Sequence, residues 1–128
     1  MKKVIPPVDS ELIEQELTRD KFLRYSNNAN NEIYVITHHD SPNTMREIGR
    51  LREITFRLAG GGTGKEMDID HYDTCENPYK QRIVWDPQQK DILGGYRYML
   101  GKDIKPDEKG EVDPPIPEPE FINEIPAR

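Results

Sequence analysis

Between Glu66 and Asp73 the chain reads EMDIDHYD, which gathers four carboxylates, Glu66, Asp68, Asp70 and Asp73, into one short run. In extended backbone, side chains alternate, so Glu66, Asp68 and Asp70 would share one side while Met67 and Ile69 face the other. Carboxylates this close repel one another and hold protons more tightly unless cations or amines offset them. The run therefore calls for a metal, an arginine or an amine-bearing substrate. An EF-hand calcium loop needs glycine at its sixth position and glutamate at its twelfth; counted from Asp68, those places hold Asp73 and Tyr79. His38, His39 and His71 have no zinc-like spacing with Cys75. No metal is expected, and an arginine or an amine remains.

Two arginines answer that need. On a helix from Pro42 to about Ala59, Leu58, Leu51, Thr55, Ile48, Met45 and Phe56 form a mainly apolar arc, and Arg52 falls inside it. An arginine keeps its charge, so a buried one requires a carboxylate, a phosphate or carbonyls as partner. Arg46, Arg50 and Arg57 fall on the polar side, as a solvated face or a docking patch for an acidic partner. In the strand-like run KDILGGYRYML, Leu93, Gly95, Arg97 and Met99 would share a face, which sets Arg97 among glycine and apolar neighbours. Gly94 and Gly95 suggest a bulge or a close approach by another backbone or a ligand. Two arginines on apolar faces, with the acidic run between them, make a buried charged site.

The glycine-rich run GGGTGKE, residues 60–66, is a weak imitation of a nucleotide loop. GxxxxGK[ST] requires a glycine where Ala59 stands and a hydroxyl where Glu66 stands, and here the loop follows a helix instead of opening one. The glycines are expected to stop the Arg52 helix and return the chain sharply, bringing Glu66 and the aspartates alongside Arg52.

The elements that must position these residues are readable in outline. Asp9 or Ser10 can cap a helix through SELIEQELTRDKFLRY, whose apolar residues recur at near-helical spacing. EIYVITHH reads as a strand. Ser41-Pro42 reads as a helix start. QRIVWD and KDILGGYRYML, joined by PQQ, read as an antiparallel hairpin. After Gly101 the chain holds six of its eleven prolines, a composition barred from helices and central strands and expected as an extended tail.

Bulk composition narrows the class. The chain has 128 residues, 34% apolar and 33% charged, with a net charge of −6, which excludes a general nucleic-acid binder. Cys75 is the sole cysteine, so no internal disulfide can form; it reads as a small neutral thiol. No apolar run approaches the roughly 20 residues of a membrane span. The expectation is a cytoplasmic protein, with peripheral contact at the inner membrane surface left open.

The motifs LREITF, EMDIDHYD and DILGGYRYML, within residues 20–101, resemble the acyl-carrier-dependent N-acyltransferases of ornithine-lipid and glycine-lipid synthesis. These are often labelled hemolysin-like and share the GNAT-like fold of the acyl-homoserine-lactone synthases. In the lactone synthases an Arg precedes a Phe by four residues, E-x-D-x-x-D follows, and an Arg lies in a G-x-x-R-L strand. Arg52 and Phe56 match the first pair; Asp68, Asp70 and Asp73 match the acidic set, with Asp for Glu; Arg97 matches the last. The resemblance implies that Asp68, Asp70, Asp73 and Arg97 are catalytic and that Arg52, Phe56 and Glu66 bind substrate. It implies an amino acid of glycine or ornithine type as acceptor, the acyl-phosphopantetheine of acyl carrier protein as donor, and no bound cofactor. The docking of carrier protein on Arg46, Arg50 and Arg57 is inferred from charge.

The fold implied is α/β: N-terminal helices plus a mostly antiparallel sheet of about three strands, forming part of a GNAT-like domain over residues 1–101, with a proline-rich tail over 102–128 that is disordered or bound to a partner. In this family the donor is held by a later strand and helix, whereas this chain enters its tail after GGYRYMLG. The expectation is a truncated or split acyltransferase with an open sheet edge, covered by a homodimer or a second subunit. The alternative is a non-catalytic protein that binds a partner through that edge and through PPIPEP.

Overall fold

The computed structural model describes residues 1–27, 30–103 and 120–122. The PPIPEP segment lies outside them.

The first helix, α1 (Ser10–Glu16), starts where expected, the Asp9 carboxylate accepting the Glu11 amide at 2.9 Å. It ends sooner than the apolar spacing suggests. After a 3-10 turn at Arg19–Lys21, residues Phe22–Tyr25 form strand β1, antiparallel to β2 (Glu32–Ile36). The Phe22 ring meets that of Tyr34 edge-on, with centroids 5.7 Å apart. This non-local aromatic pairing outweighs the local helical period, which is a weak preference.

Helix α2 (Pro42–Leu58) has proline in its first turn, as the sequence indicates, yet Ser41 provides no side-chain cap. The cap comes from α1: Glu16 accepts the Asn43 amide at 3.0 Å and the Thr44 amide and hydroxyl at 2.7 and 2.8 Å. The far end closes on glycine. Gly60 has φ +91°, its N–H bonds Arg57 O, and Gly61 N–H bonds Phe56 O at 2.8 Å, a left-handed termination that a Cβ would oppose.

A one-turn helix, α3 (His71–Thr74), precedes the hairpin of β3 (Lys80–Asp86) and β4 (Asp91–Tyr98). Among the described residues the sheet has five strands, all antiparallel, in the order β1-β2-β3-β4-β5, two more than the sequence indicates. The additions are β1 and β5 (Glu120–Ile122). The latter pairs Gly95 with Ile122 and Arg97 with Glu120, so part of the tail occupies the β4 edge expected to be bare. An edge position tolerates what a proline-rich segment can offer.

Helices α1 and α2 supply one layer and the sheet the other. Ile13, Leu17, Met45, Ile48 and Leu51 pack on Tyr34, Ile36, Ile83, Trp85 and Ile92. Leu58, assigned to the apolar arc, is 70% exposed, because the chain beyond it folds back over the Glu53–Arg57 side of the helix. No helix among the described residues is long and apolar enough to cross a membrane.

The bulge foreseen at Gly94 and Gly95 sits one residue earlier. Trp85 pairs with Ile92 and Val84 with Gly94, so Leu93 is the extra residue; it is turned outward, off the face it was expected to share with Arg97. The extra residue shifts the alternation, so that Ile92 and Arg97 lie opposite Trp85 and Gln81 on the helix-facing side. Gly95 permits the close approach: a Cβ there would lie 2.5 Å from Arg82 O, so the approaching group is the β3 backbone.

Candidate active site

Asp73 is the hub of the buried charged site. Its side chain is fully buried. One oxygen accepts Arg52 Nη1 at 3.1 Å and the Asp70 amide at 3.1 Å; the other accepts Gln81 Nε2 at 2.8 Å and Arg97 Nη1 at 3.5 Å. Four donors on two oxygens engage the carboxylate on every side. It stays where it is because α3 is closed by a capping box: Asp70 accepts the Tyr72 and Asp73 amides while Asp73 accepts the Asp70 amide.

Arg52, also buried, reaches this hub from α2. Its Nη2 donates to Gln81 Oε1 at 2.6 Å, and Nη1 contacts the Asp68 carbonyl at 3.4 Å. Arg97 reaches it from β4, donating to both oxygens of Asp70 at 2.8 and 2.9 Å, with its guanidinium 5.0 Å from the Tyr79 ring centroid. The Asp70 side chain is 40% exposed and that of Arg97 11%. The network is therefore closed on the Arg52 side and opens to solvent at Asp70. Partial burial acts to raise the Asp70 pKa, but the Arg97 hydrogen bond and charge, with the Asp73 amide, outweigh it and hold the carboxyl below the usual carboxylate range. Asp70 is thus ionised at neutral pH and suited to hold an ammonium or amine group at the mouth of the site.

Of the sequence-predicted residues, Arg52, Asp70, Asp73 and Arg97 come together. Asp68 contributes its backbone, with its N–H on Gly49 O at 2.9 Å and its carbonyl toward Arg52. Met67 and Ile69 pack on Gly49, as their alternation implies. Phe56 is half-buried one turn after Arg52. Glu66 does not join them: the chain bends through Gly64–Met67, Glu66 is exposed, and its carbonyl accepts Ile5 N–H at 3.1 Å. Arg52 binds Asp73 and Gln81 in its place.

The polar arginine face is also corrected. Arg46 is exposed, but Arg50 is 6% exposed and doubly bound to Glu47 at 2.7 Å. Arg57 donates to Glu53 at 2.6 Å and to the Lys2 and Lys65 carbonyls at 2.7 Å. Helical spacing at i,i+3 and i,i+4 supplies these partners, which a count of arginines alone overlooks.

Two important residues escaped the sequence reading. Gln81 shares a face with Ile83 and Trp85 by simple alternation, which was the available signal. Glu53 organises the glycine run: it accepts the Thr63 amide and hydroxyl at 2.9 and 2.6 Å and the Gly64 amide at 3.0 Å. The loop does cradle an oxyanion, and that oxyanion is the protein's own carboxylate. Gly62 is required there, since a Cβ would lie 2.9 Å from Glu53 Oε2. Among the described residues no group of three or more His, Cys, Asp or Glu side chains is placed to hold a metal ion.

A helix layer thus lies over an antiparallel sheet, and a paired Arg-Asp cluster opens beside its last long strand. Residues 51–118, more than half of the chain, match the acetyltransferase (GNAT) domain, and the chain belongs to that family. It is 63% identical over 110 residues to a glycine N(alpha)-acyltransferase of Bacteroides thetaiotaomicron, covering 86% of this chain and 33% of the relative. It is 60% identical over 111 residues to a protein of the same name from Phocaeicola vulgatus, covering 87% of this chain and 34% of the relative. The chain thus spans about a third of the length of the curated relatives it matches. No solved structure matches it.

Proposed function

We propose that the chain carries the amine-acceptor side of an acyltransferase that moves a fatty acyl group from acyl carrier protein to the amine of an amino acid, glycine before ornithine, in amino-acid lipid synthesis. The observation that carries this reading is the half-exposed, ionised Asp70, clamped by Arg97 at the open end of a network buried elsewhere among the described residues. The names of two relatives of 60% identity or more, both glycine N(alpha)-acyltransferases, support the choice of glycine.

Asp70 receives the acceptor's ammonium group and orients it, and the ammonium releases one proton to solvent to become a nucleophilic amine. The nitrogen attacks the thioester carbonyl of acyl-phosphopantetheine, the N–C bond forms as the C–S bond breaks, and the leaving thiolate takes up the second proton that the nitrogen gives up as the amide forms. Proximity supplies much of the acceleration, because the reaction joins two bound substrates without a covalent enzyme intermediate. Arg52 and Asp73, walled in, act by holding Asp70 and Arg97 in place. Contact with the inner membrane surface, where an N-acyl amino acid would partition, belongs to the same reading.

The chain is incubated with a long-chain acyl carrier protein and either glycine or ornithine, and products are read by mass spectrometry. The expected result is N-acylglycine in excess over N-acylornithine. Absence of product with both amines, from the chain alone and from the chain joined to the remainder of a relative, would overturn the reading.

A further inference from the structure

Gln81 stands in the central strand β3, directly opposite Arg97 on β4 and Ile36 on β2, with its side chain in the layer beneath α2. It is buried, yet it is no core residue by chemistry. Its carbonyl accepts Arg52 Nη2 at 2.6 Å and its amide nitrogen donates to Asp73 at 2.8 Å. One neutral group thus meets a cation and an anion at once, each with the end that suits it. No other neutral side chain of that length presents an acceptor and a donor on one planar head.

We infer that Gln81 is a positioning residue for acyl transfer, which holds Arg52 and Asp73 in register so that Asp73 in turn fixes Arg97 and Asp70 for the acceptor amine. The inference rests on the acyl-transfer reading. Two features single out this position. It lies between the two halves of the network, joining the α2 arginine to the hub whose other side receives Arg97. It also leaves the charge count unchanged: Arg52 and Arg97 balance Asp70 and Asp73. A carboxylate at position 81 would face Asp73 at hydrogen-bond distance and leave the network one negative charge in excess, a state that takes up a shared proton. Once protonated, that carboxyl would again present an O–H to Asp73 and a carbonyl to Arg52.

The test compares wild type, Gln81→Leu and Gln81→Glu in N-acylation of glycine, with folding checked by circular dichroism. Gln81→Leu keeps the approximate volume and removes both hydrogen bonds to charged groups. It is expected to lower kcat/KM for the amine about 10- to 100-fold, with KM for the acyl donor unchanged. Gln81→Glu is expected to be comparably impaired at pH 8. Its activity relative to wild type should then recover several-fold by pH 6 as the new carboxyl, facing Arg52, Asp73, Arg97 and, behind Arg97, Asp70, gains its proton. A residue that only filled space would give no such recovery. Folded variants with wild-type kcat/KM, or a Gln81→Glu profile parallel to wild type, would overturn the inference. A wild type inactive both alone and when joined to the remainder of a relative would overturn the acyl-transfer reading itself, and the wild-type control tells the two failures apart.

Discussion

Two buried carboxylates, Asp73 and Glu53, sit at the centres of two hydrogen-bond clusters, and each receives at least one guanidinium. Glu53 draws its partners from nearby in sequence: Arg57 one turn on, then Thr63 and Gly64 of the loop that follows. Asp73 draws its own from α2, β3 and β4. The Glu53 cluster is reinforced by the N-terminal segment, whose Lys2 amide bonds Gly64 O at 2.9 Å and whose Lys2 carbonyl accepts Arg57. The Asp73 cluster ends at an ion pair whose Asp70 carboxylate is open to solvent. A carboxylate that ties down the next loop and then closes is a structural clasp. One that gathers distant elements and leaves a charged pair facing solvent has the form of a site.

Removing each hub separates these roles. Asp73→Asn leaves two guanidinium groups beside one remaining aspartate and sets an amide nitrogen against the donors of Gln81 or the arginines. Breaking a buried ion pair from one side costs about 3–5 kcal/mol, so a large drop in the urea midpoint is expected together with loss of acylation. A mild drop would mean that the network contributes little to holding α2, α3 and the hairpin together.

Glu53→Gln should cost less, about 1–3 kcal/mol, because one carbonyl acceptor survives while the amide end meets N–H donors. Its signature lies in acid. Burial alone would raise the Glu53 pKa, but the Thr63 hydroxyl, Arg57 and the Thr63 and Gly64 amides outweigh it, lowering the value from 4.5 to about 2. The folded value lies below the unfolded one, so ionised Glu53 stabilises the fold above pH 4.5, and that contribution is lost as pH falls toward about 2. Urea midpoints measured between pH 6 and pH 2.5 should therefore fall less steeply for Glu53→Gln than for wild type. Equal slopes would remove the clasp from the account.

The two clusters were not equally legible in the sequence. Arg52 and Arg97 announced themselves because charges on otherwise apolar faces demand partners, Asp70 and Asp73 because crowded carboxylates demand cations, and the partners proved to be one another. Gln81 carries no charge, so nothing in its type raised that demand, although its alternation with Ile83 and Trp85 placed it on the buried face. Glu53 was hidden differently. Nothing in its helical position marks it, and it is the return of the loop that buries it. The strands β1 and β5 were missed because pairing with a distant partner decided their structure: Phe22 follows Tyr34, and residues 120–122 follow the open side of β4, where local periodicity has no say. Two elements of the sheet thus escaped a local reading, while the arginines that mark the site did not.

Arg46 is exposed on α2, and its substitution should disturb stability least. With Arg50 held by Glu47 and Arg57 by Glu53, Arg46 is the member of the three-arginine face that is exposed on α2. Arg46→Glu is expected to change the unfolding free energy, measured by urea titration, by less than about 0.5 kcal/mol, the usual range for a surface position. An acidic carrier protein meeting α2 would respond to the reversed charge mainly through its association rate. KM for the acyl carrier protein should rise a few-fold at low salt and converge on wild type as ionic strength rises and screening shortens the reach of the charge. KM for glycine should not move. If the carrier's KM is unaffected at every salt concentration, the carrier docks elsewhere, and α2 serves the acceptor side alone through Arg52.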